Sequence, residues 1–304
     1  MAGRLAYAEA VAELENALKF GINPSLDGIR ALAHALGRPQ DAFAVVQVAG
    51  TNGKSSVTRL IAALLTAEGL STGAYTSPHL ESYTERIELG GTPCSEGDFA
   101  EALSAALGAA EEVGVSAGSF TEFELLTAAA LWLFRERGVD LACLEVGMGG
   151  RWDATSVTDP AVAVVTGVGL DHTERLGSTV DAIAFDKSHV IKPGASVVLG
   201  PGTAPVADVF LGRAESFGLH PRFVAADGAA TPVPENRTVR FEVTARPDHP
   251  GGTLALDVRG MHAEYRGLAL VAPSYQAPNV ATAVAAAECA LGRALDPDAA
   301  RAAL

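Results

Sequence analysis

Four groups along this chain carry side chains that one kind of reaction would use together: Lys54-Ser55, Ser77, Glu145 and Asp171-His172. The first lies in Gly50-Thr51-Asn52-Gly53-Lys54-Ser55-Ser56, directly after the apolar run Val45 to Val48. A helical pattern of Val57, Leu60, Ile61, Leu64 and Leu65 follows and stops at Gly69. Strand, glycine-containing loop, Lys-Ser and helix together cradle phosphate. Backbone N–H groups and the helix N-terminus face the anion, Lys54 supplies a cation, and the Ser55 hydroxyl can ligate Mg²⁺. The strict G-x-x-x-x-G-K-[ST] spacing is not met, because Val48 stands where its first glycine belongs. The other three groups also end short apolar runs, and ligands of open parallel sheets sit beyond the carboxyl ends of strands. Each has a plainer reading alone: Ser77 before Pro78 shaping a turn, Glu145 a surface carboxylate, His172 a structural hydrogen-bonder. Four apolar residues before Glu145 argue for burial, where a lone carboxylate is costly. Together the four read as a magnesium site that neutralises phosphate oxygens during phosphoryl transfer.

Short apolar strands alternating with helices predict βαβ units and a mostly parallel sheet flanked by helices. Helices are expected over residues 6–20 and 25–36, the second ending at Gly37 and Pro39. Ser95 with Asp98, and Thr121 with Glu124, are capping signatures that start helices reaching about Val113 and Arg137. Ser178 is expected to cap a helix carrying Lys187. Strands are expected at Thr72 to Thr76, Leu141 to Val146, Ala161 to Val168 and Ala195 to Leu199. After residue 220 the rhythm changes to period two, over Arg240 to Thr244 and Thr253 to Val258, so a small antiparallel β extension is predicted within 220–272. A last helix runs from about Pro278 to Leu291, with no clear element after it. The fold expected is thus an α/β P-loop ATPase domain over 1–304 that includes this extension.

At 304 residues the chain can bury a large core. Its apolar runs fall far short of a membrane span, and residues 1–9 hold no signal-peptide core, so no membrane partner is expected. Three widely separated cysteines (Cys94, Cys143, Cys289) suit a reduced, cytoplasmic setting. A formal net charge of −14 opposes binding to nucleic acid or anionic lipid. An anionic substrate must then be drawn in by a local basic site.

Four ordered motifs carry a specific resemblance. They are Gly50-Thr-Asn-Gly-Lys-Ser-Ser56; Thr76-Ser-Pro-His-Leu80 with Glu85-Arg-Ile87; Leu144-Glu-Val-Gly-Met-Gly-Gly-Arg-Trp-Asp-Ala-Thr155; and Leu170-Asp-His172 with Leu176-Gly177. From about Ile22 onward the chain resembles the folylpolyglutamate synthase/dihydrofolate synthase family of the Mur-ligase-like superfamily. The resemblance implies an ATP- and Mg²⁺-dependent amide ligase that adds glutamate to a pteroate or folate carboxylate through an acyl phosphate. By motif, Gly50, Thr51, Asn52, Gly53, Lys54, Ser55 and Ser56 would hold the phosphates, and Asn279 would contact adenine. Ser55 would face one magnesium ion, with Ser77, Glu145 and His172 on another. Lys54, His172 and Lys187 would serve catalysis, Lys187 as the family lysine that is carbamylated. His79, Leu80 and Arg86 would belong to the substrate loop, and Thr121, Phe123 and Asp153 would bind the pterin.

There are departures as well. Asp186-Lys-Ser-His189 stands for the family's Glu-Lys-Ala-Gly, and Ser156 stands where Asn ends the Asp-Ala-Thr motif. The family's second domain, with its linker arginine and share of the glutamate site, is not matched, so the isolated chain is expected to be a monomer incompetent in ligation. Two other readings compete: a non-catalytic nucleotide- or pterin-binding module, and a Mur-like ligase acting on another carboxylate.

Overall fold

In the computed structural model, residues 5–17, 24–114 and 119–304 are described. In chain order the elements begin with α1 (Tyr7–Ala17), α2 (Asp27–Ala35), β1 (Ala44–Ala49), α3 (Lys54–Ala67), β2 (Thr72–Tyr75), β3 (Ile87–Leu89) and β4 (Thr92–Pro93). They continue with α4 (Glu96–Glu112), α5 (Glu122–Glu136), β5 (Leu141–Glu145), β6 (Val162–Gly167), α6 (Thr173–Leu176), α7 (Val180–Lys187) and β7 (Ser196–Gly202). The last are α8 (Ala207–Glu215), β8 (Arg222–Ala226), β9 (Thr238–Ala245), β10 (Thr253–Arg259), β11 (Glu264–Val271), α9 (Ala277–Leu291) and α10 (Pro297–Ala303). Residues 18–20 of the first expected helix lie outside the described residues.

Among the described residues eleven strands join one sheet, ordered β11-β10-β9-β8-β7-β6-β1-β5-β2-β3-β4. From β9 through β2 the neighbours run parallel; β10 and β11 at one edge, and β3 and β4 at the other, are antiparallel. The predicted extension is therefore continuous with the main sheet, entered through a parallel β8–β9 pairing. That pairing joins residues distant in sequence, so period-two alternation cannot reveal it.

Helices α3, α9 and α10 cover one face over Val46, Val48, Cys143, Val164, Val198 and Val224. On the other face, α1, α2, α4 and α5 pack over β1, β2 and β5, and α7 and α8 pack over β6 to β8. With both faces covered, the central strands read as near-continuous apolar runs.

Ser95 and Thr121 cap α4 and α5 as expected, and Thr121 forms a full capping box with Glu124. The α7 cap is Thr179 rather than Ser178: its hydroxyl accepts from Ala182 N–H, three residues on. A terminal helix is present after all, with Asp296 accepting from Asp298 and Ala299 N–H ahead of Pro297. Strand β1 sits between β6 and β5, where the order of strands reverses. Crevices at such points are where open α/β sheets hold ligands.

Candidate active site

Strand β1 delivers the phosphate loop into that crevice, and β6 clamps it. Thr51 N–H donates to Gly167 O (2.9 Å), Gly169 N–H donates to Thr51 Oγ1 (3.0 Å), and Thr166 Oγ1 donates to Asn52 O (2.6 Å). Glycine is required at both ends of the turn. A Cβ on Gly50 would lie 1.9 Å from Thr166 Oγ1, and Gly53 has φ +80° with Asn279 Oδ1 2.6 Å from its Cβ position. Lys54 opens α3 with its ammonium 3.4 Å from Thr51 O.

A second ammonium comes from the last residue of α7. Lys187 is 4% exposed and donates to Gly50 O at 3.0 Å. Burial, then the nearby Lys54 charge, pull its pKa down to about 8, against smaller upward pulls from Asp186, Asp171 and Asp153. A cavity of about 570 Å³ opens beside the loop, lined by Asn52, Gly53, Thr166, Tyr275, Gln276 and Asn279 among others. Gln276 donates to Ser56 Oγ (3.2 Å) and accepts from Asn279 Nδ2 (2.7 Å), so the start of α9 is tied to the start of α3.

Glu145, at the end of β5, is 2% exposed. Its Oε1 accepts from Ser55 Oγ (2.9 Å) and its Oε2 from Ser77 N–H (3.0 Å). Burial raises its pKa, opposed by those two donors and by Lys54 and Arg59. A buried carboxylate bonded to one serine hydroxyl and to the backbone N–H of a second serine gathers hard-oxygen side chains, and such donors suit Mg²⁺. Glu145, Ser55 and Ser77 thus fit the expected ion. His172 is not joined to them: it is exposed, holds a left-handed φ of +50°, and lies 3.6 Å from Asp171. Among the described residues no three His, Cys, Asp or Glu side chains converge as a metal cluster.

A second cavity, of about 510 Å³, brings together Thr121, Phe123 and Asp153 with Met148, Trp152 and Arg175. The Phe123 ring packs over Gly147, where a Cβ would come within 2.8 Å, and lies 5.7 Å from the Tyr75 ring. Asp153 is buried; its Oδ2 accepts from Met148 N–H (3.0 Å) and its Oδ1 from Thr155. Burial raises its pKa, and these donors oppose the rise. Thr121 and Asp153 are caps as well as lining residues, which places them at element starts where polar atoms face a cavity.

Three expected substrate residues do not line this cavity. Arg86 donates to His79 Nδ1 (2.8 Å), lies 3.3 Å from Glu122, and stacks over Tyr83 at 4.9 Å. Burial, then Arg86, lower the His79 pKa. Leu80 is 93% exposed at the tip of its loop, which Glu85 ties down by accepting from the N–H groups of Leu80, Glu81 and Ser82. Conversely, Trp152, Arg175 and Asp186 line the cavity without having been picked out as substrate residues. Trp152 lies inside the motif Leu144 to Thr155, whereas Arg175 sits on a four-residue helix too short to have a pattern.

The Mur ligase middle domain matches residues 48–199. A Mycobacterium tuberculosis dihydrofolate synthase/folylpolyglutamate synthase is 37% identical over 300 residues, covering 92% of this chain and 59% of that protein. This chain therefore spans about three fifths of that relative's length. The apo form of L. casei FPGS superimposes with a TM-score of 0.85 at 31% identity, over 99% of this chain and 71% of that one. E. coli FolC in complex with DHPP and ADP gives 0.82 at 30%, over 98% and 65%. The chain belongs to the folylpolyglutamate synthase/dihydrofolate synthase family of Mur-type ligases.

Proposed function

We propose that this chain carries the ATP- and pterin-binding part of a ligase that activates a pteroate or folate carboxylate as an acyl phosphate and joins it to glutamate. One observation carries the reading. The consecutive residues Asp186 and Lys187 serve the two cavities, Asp186 lining the second one, beside Phe123 and Asp153, and Lys187 holding the phosphate loop of the first. A carboxylate acceptor in one and a nucleotide in the other would approach each other across the phosphate loop. Relatives of this family have been solved with ADP, and one with DHPP and ADP together.

In this reading the loop N–H groups and Lys54 hold the phosphates, and Asn279 and Gln276 flank the base. Ser55, Ser77 and Glu145 would hold Mg²⁺; the family motif adds His172 as a ligand, although no contact here joins it to them. The ion, when bound, neutralises charge on the phosphate oxygens. Phe123 offers a ring face to the pterin, while Thr121 and Asp153 offer polar atoms to its edge. At a pKa of about 8, a sizeable share of Lys187 is neutral amine near pH 7.5. That nitrogen can attack CO₂, forming an N–C bond and losing a proton, to give the carbamate expected of the family lysine.

The relatives are longer than this chain, and the reading assigns glutamate capture to the part of them that it does not span. By themselves these residues then act as one ATPase unit, with the β strands of 220–272 as its extension. Among the described residues no helix is long and apolar enough to cross a membrane, and the expected setting is cytoplasmic.

The test is phosphate release from ATP by this chain with Mg²⁺, glutamate, and dihydropteroate or tetrahydrofolate. Slow release that requires both Mg²⁺ and the carboxylate substrate, without glutamylated product by mass, is expected. Release indifferent to the carboxylate substrate contradicts acyl-phosphate formation, and robust amide product contradicts the assignment of glutamate capture elsewhere.

A further inference from the structure

Gln47 breaks the pattern of the central strand. It is 0% exposed in the middle of β1, between Val46 and Val48, and its register partners on β5 and β6 are Leu144 and Ala163. An apolar residue there would be cheaper to bury, because the Gln47 Oε1 has no hydrogen-bond partner among the described residues. Local violations of the core pattern of this kind concentrate at functional sites.

Its amide nitrogen has two partners. Nε2 donates to Thr155 Oγ1 at 2.9 Å and to Ser156 Oγ at 3.0 Å. Both hydroxyls pass their own hydrogen onward. Thr155 Oγ1 donates to Asp153 Oδ1 at 2.5 Å, and Ser156 Oγ donates to Gly150 O at 2.6 Å. Every hydrogen bond therefore runs outward from Gln47 toward the cavity-lining segment 147–153. The opposite amide orientation would turn both hydroxyls back toward Gln47 and strip Asp153 and Gly150 of these donors.

We propose that Gln47 is a positioning residue for the substrate cavity: through Thr155 and Ser156 it holds the Asp153 carboxylate and the Gly150 carbonyl in place. This deepens the ligase reading and rests on Asp153 facing the pterin. The network is buried and directional, so removing its origin affects recognition in the second cavity. The phosphate loop three residues further along β1 is clamped by different residues, Thr166 and Gly169.

The test measures binding of pteroic acid and, separately, of Mg²⁺·ATP to the chain by titration calorimetry. Gln47→Met keeps the side chain's length and removes both donors. It should weaken pteroate binding about ten-fold and leave ATP binding within about two-fold, since the two hydrogen bonds that orient the Thr155 and Ser156 hydroxyls are lost while the phosphate-loop contacts are untouched. Thr155→Val added to Gln47→Met should weaken pteroate binding little further, because both changes cut one path.

Gln47→Glu covers the case in which Gln47→Met does not fold. Its carboxylate accepts from the two hydroxyls instead of donating, and the same selective loss is expected. Unchanged pteroate affinity in a folded variant, or pteroate and ATP binding falling together, overturns the positioning role. A wild-type chain that binds ATP but no pteroate overturns the folate reading, and this role falls with it.

Discussion

Two buried charged residues at the site work against the stability of the fold. For Glu145 and Lys187 alike, burial is the largest influence on pKa and opposes the charged form. Retaining such groups where apolar ones would pack more cheaply is the usual trade between activity and stability. For Lys187 the sign can be worked out. Its folded pKa of about 8 lies below the unfolded value of 10.5, so between these pH values the unfolded chain holds a proton that the folded chain has shed. Stability from this group therefore rises with pH across that window, by about 3 kcal/mol in all. In CO₂-free buffer, Lys187→Met should be more stable than wild type below pH 8, apart from any change in packing. Its advantage should shrink by about that amount toward pH 10.5. Urea unfolding of both proteins at the two pH values checks this, and a gap that does not change with pH contradicts it.

Legibility in the sequence followed the range of the interactions. Lys54, Ser55 and Glu145 could be placed because each directly ends or follows an apolar run, and the Ser55–Glu145 hydrogen bond brings them together. A helix carrying Lys187 is expected from its cap, but the reach of Lys187 to Gly50 O spans 137 residues and has no sequence signal. His172, Arg175 and the Arg86–His79 pair depend on short turns, where periodicity is silent.

At the scale of elements, caps were legible because the capping residue and its partner lie three positions apart, as in Ser95–Asp98 and Thr121–Glu124. The α7 start was misplaced by one residue because Ser178 and Thr179 are both good caps, and only the geometry selects the second. Strands β3 and β4 are short, β11 lies at the sheet edge and β8 pairs in parallel on both sides, and nothing local marks their partners. The phosphate loop itself makes a prediction. In Gly53→Ala a methyl would meet Asn279 Oδ1 at 2.6 Å in a left-handed backbone that alanine disfavours. Stability should fall by roughly 1–2 kcal/mol and ATP affinity by about ten-fold or more, because the loop and the start of α9 shift together. Thermal melts and ATP titration measure the two effects; a stable variant with unchanged ATP affinity contradicts the assigned contact.

For the molecule as a whole, the sheet's point of reversal at β1 sets the phosphate loop beside β5 and β6, and the loops after β5 and β6 line the two cavities. Helix α7 connects them by carrying Asp186 and Lys187 side by side. In a chain with net charge −14, the cations that meet a nucleotide are local to this crevice. The central claim is that nucleotide and pterin occupy separate, adjoining cavities of this one chain. Its most direct test is calorimetric titration of pteroic acid into the chain, alone and saturated with Mg²⁺ and a non-hydrolysable ATP analogue. One pteroate site is expected in both cases, with the nucleotide still bound. Displacement of either ligand by the other, or absence of a pteroate site in a chain that binds the nucleotide, would contradict it.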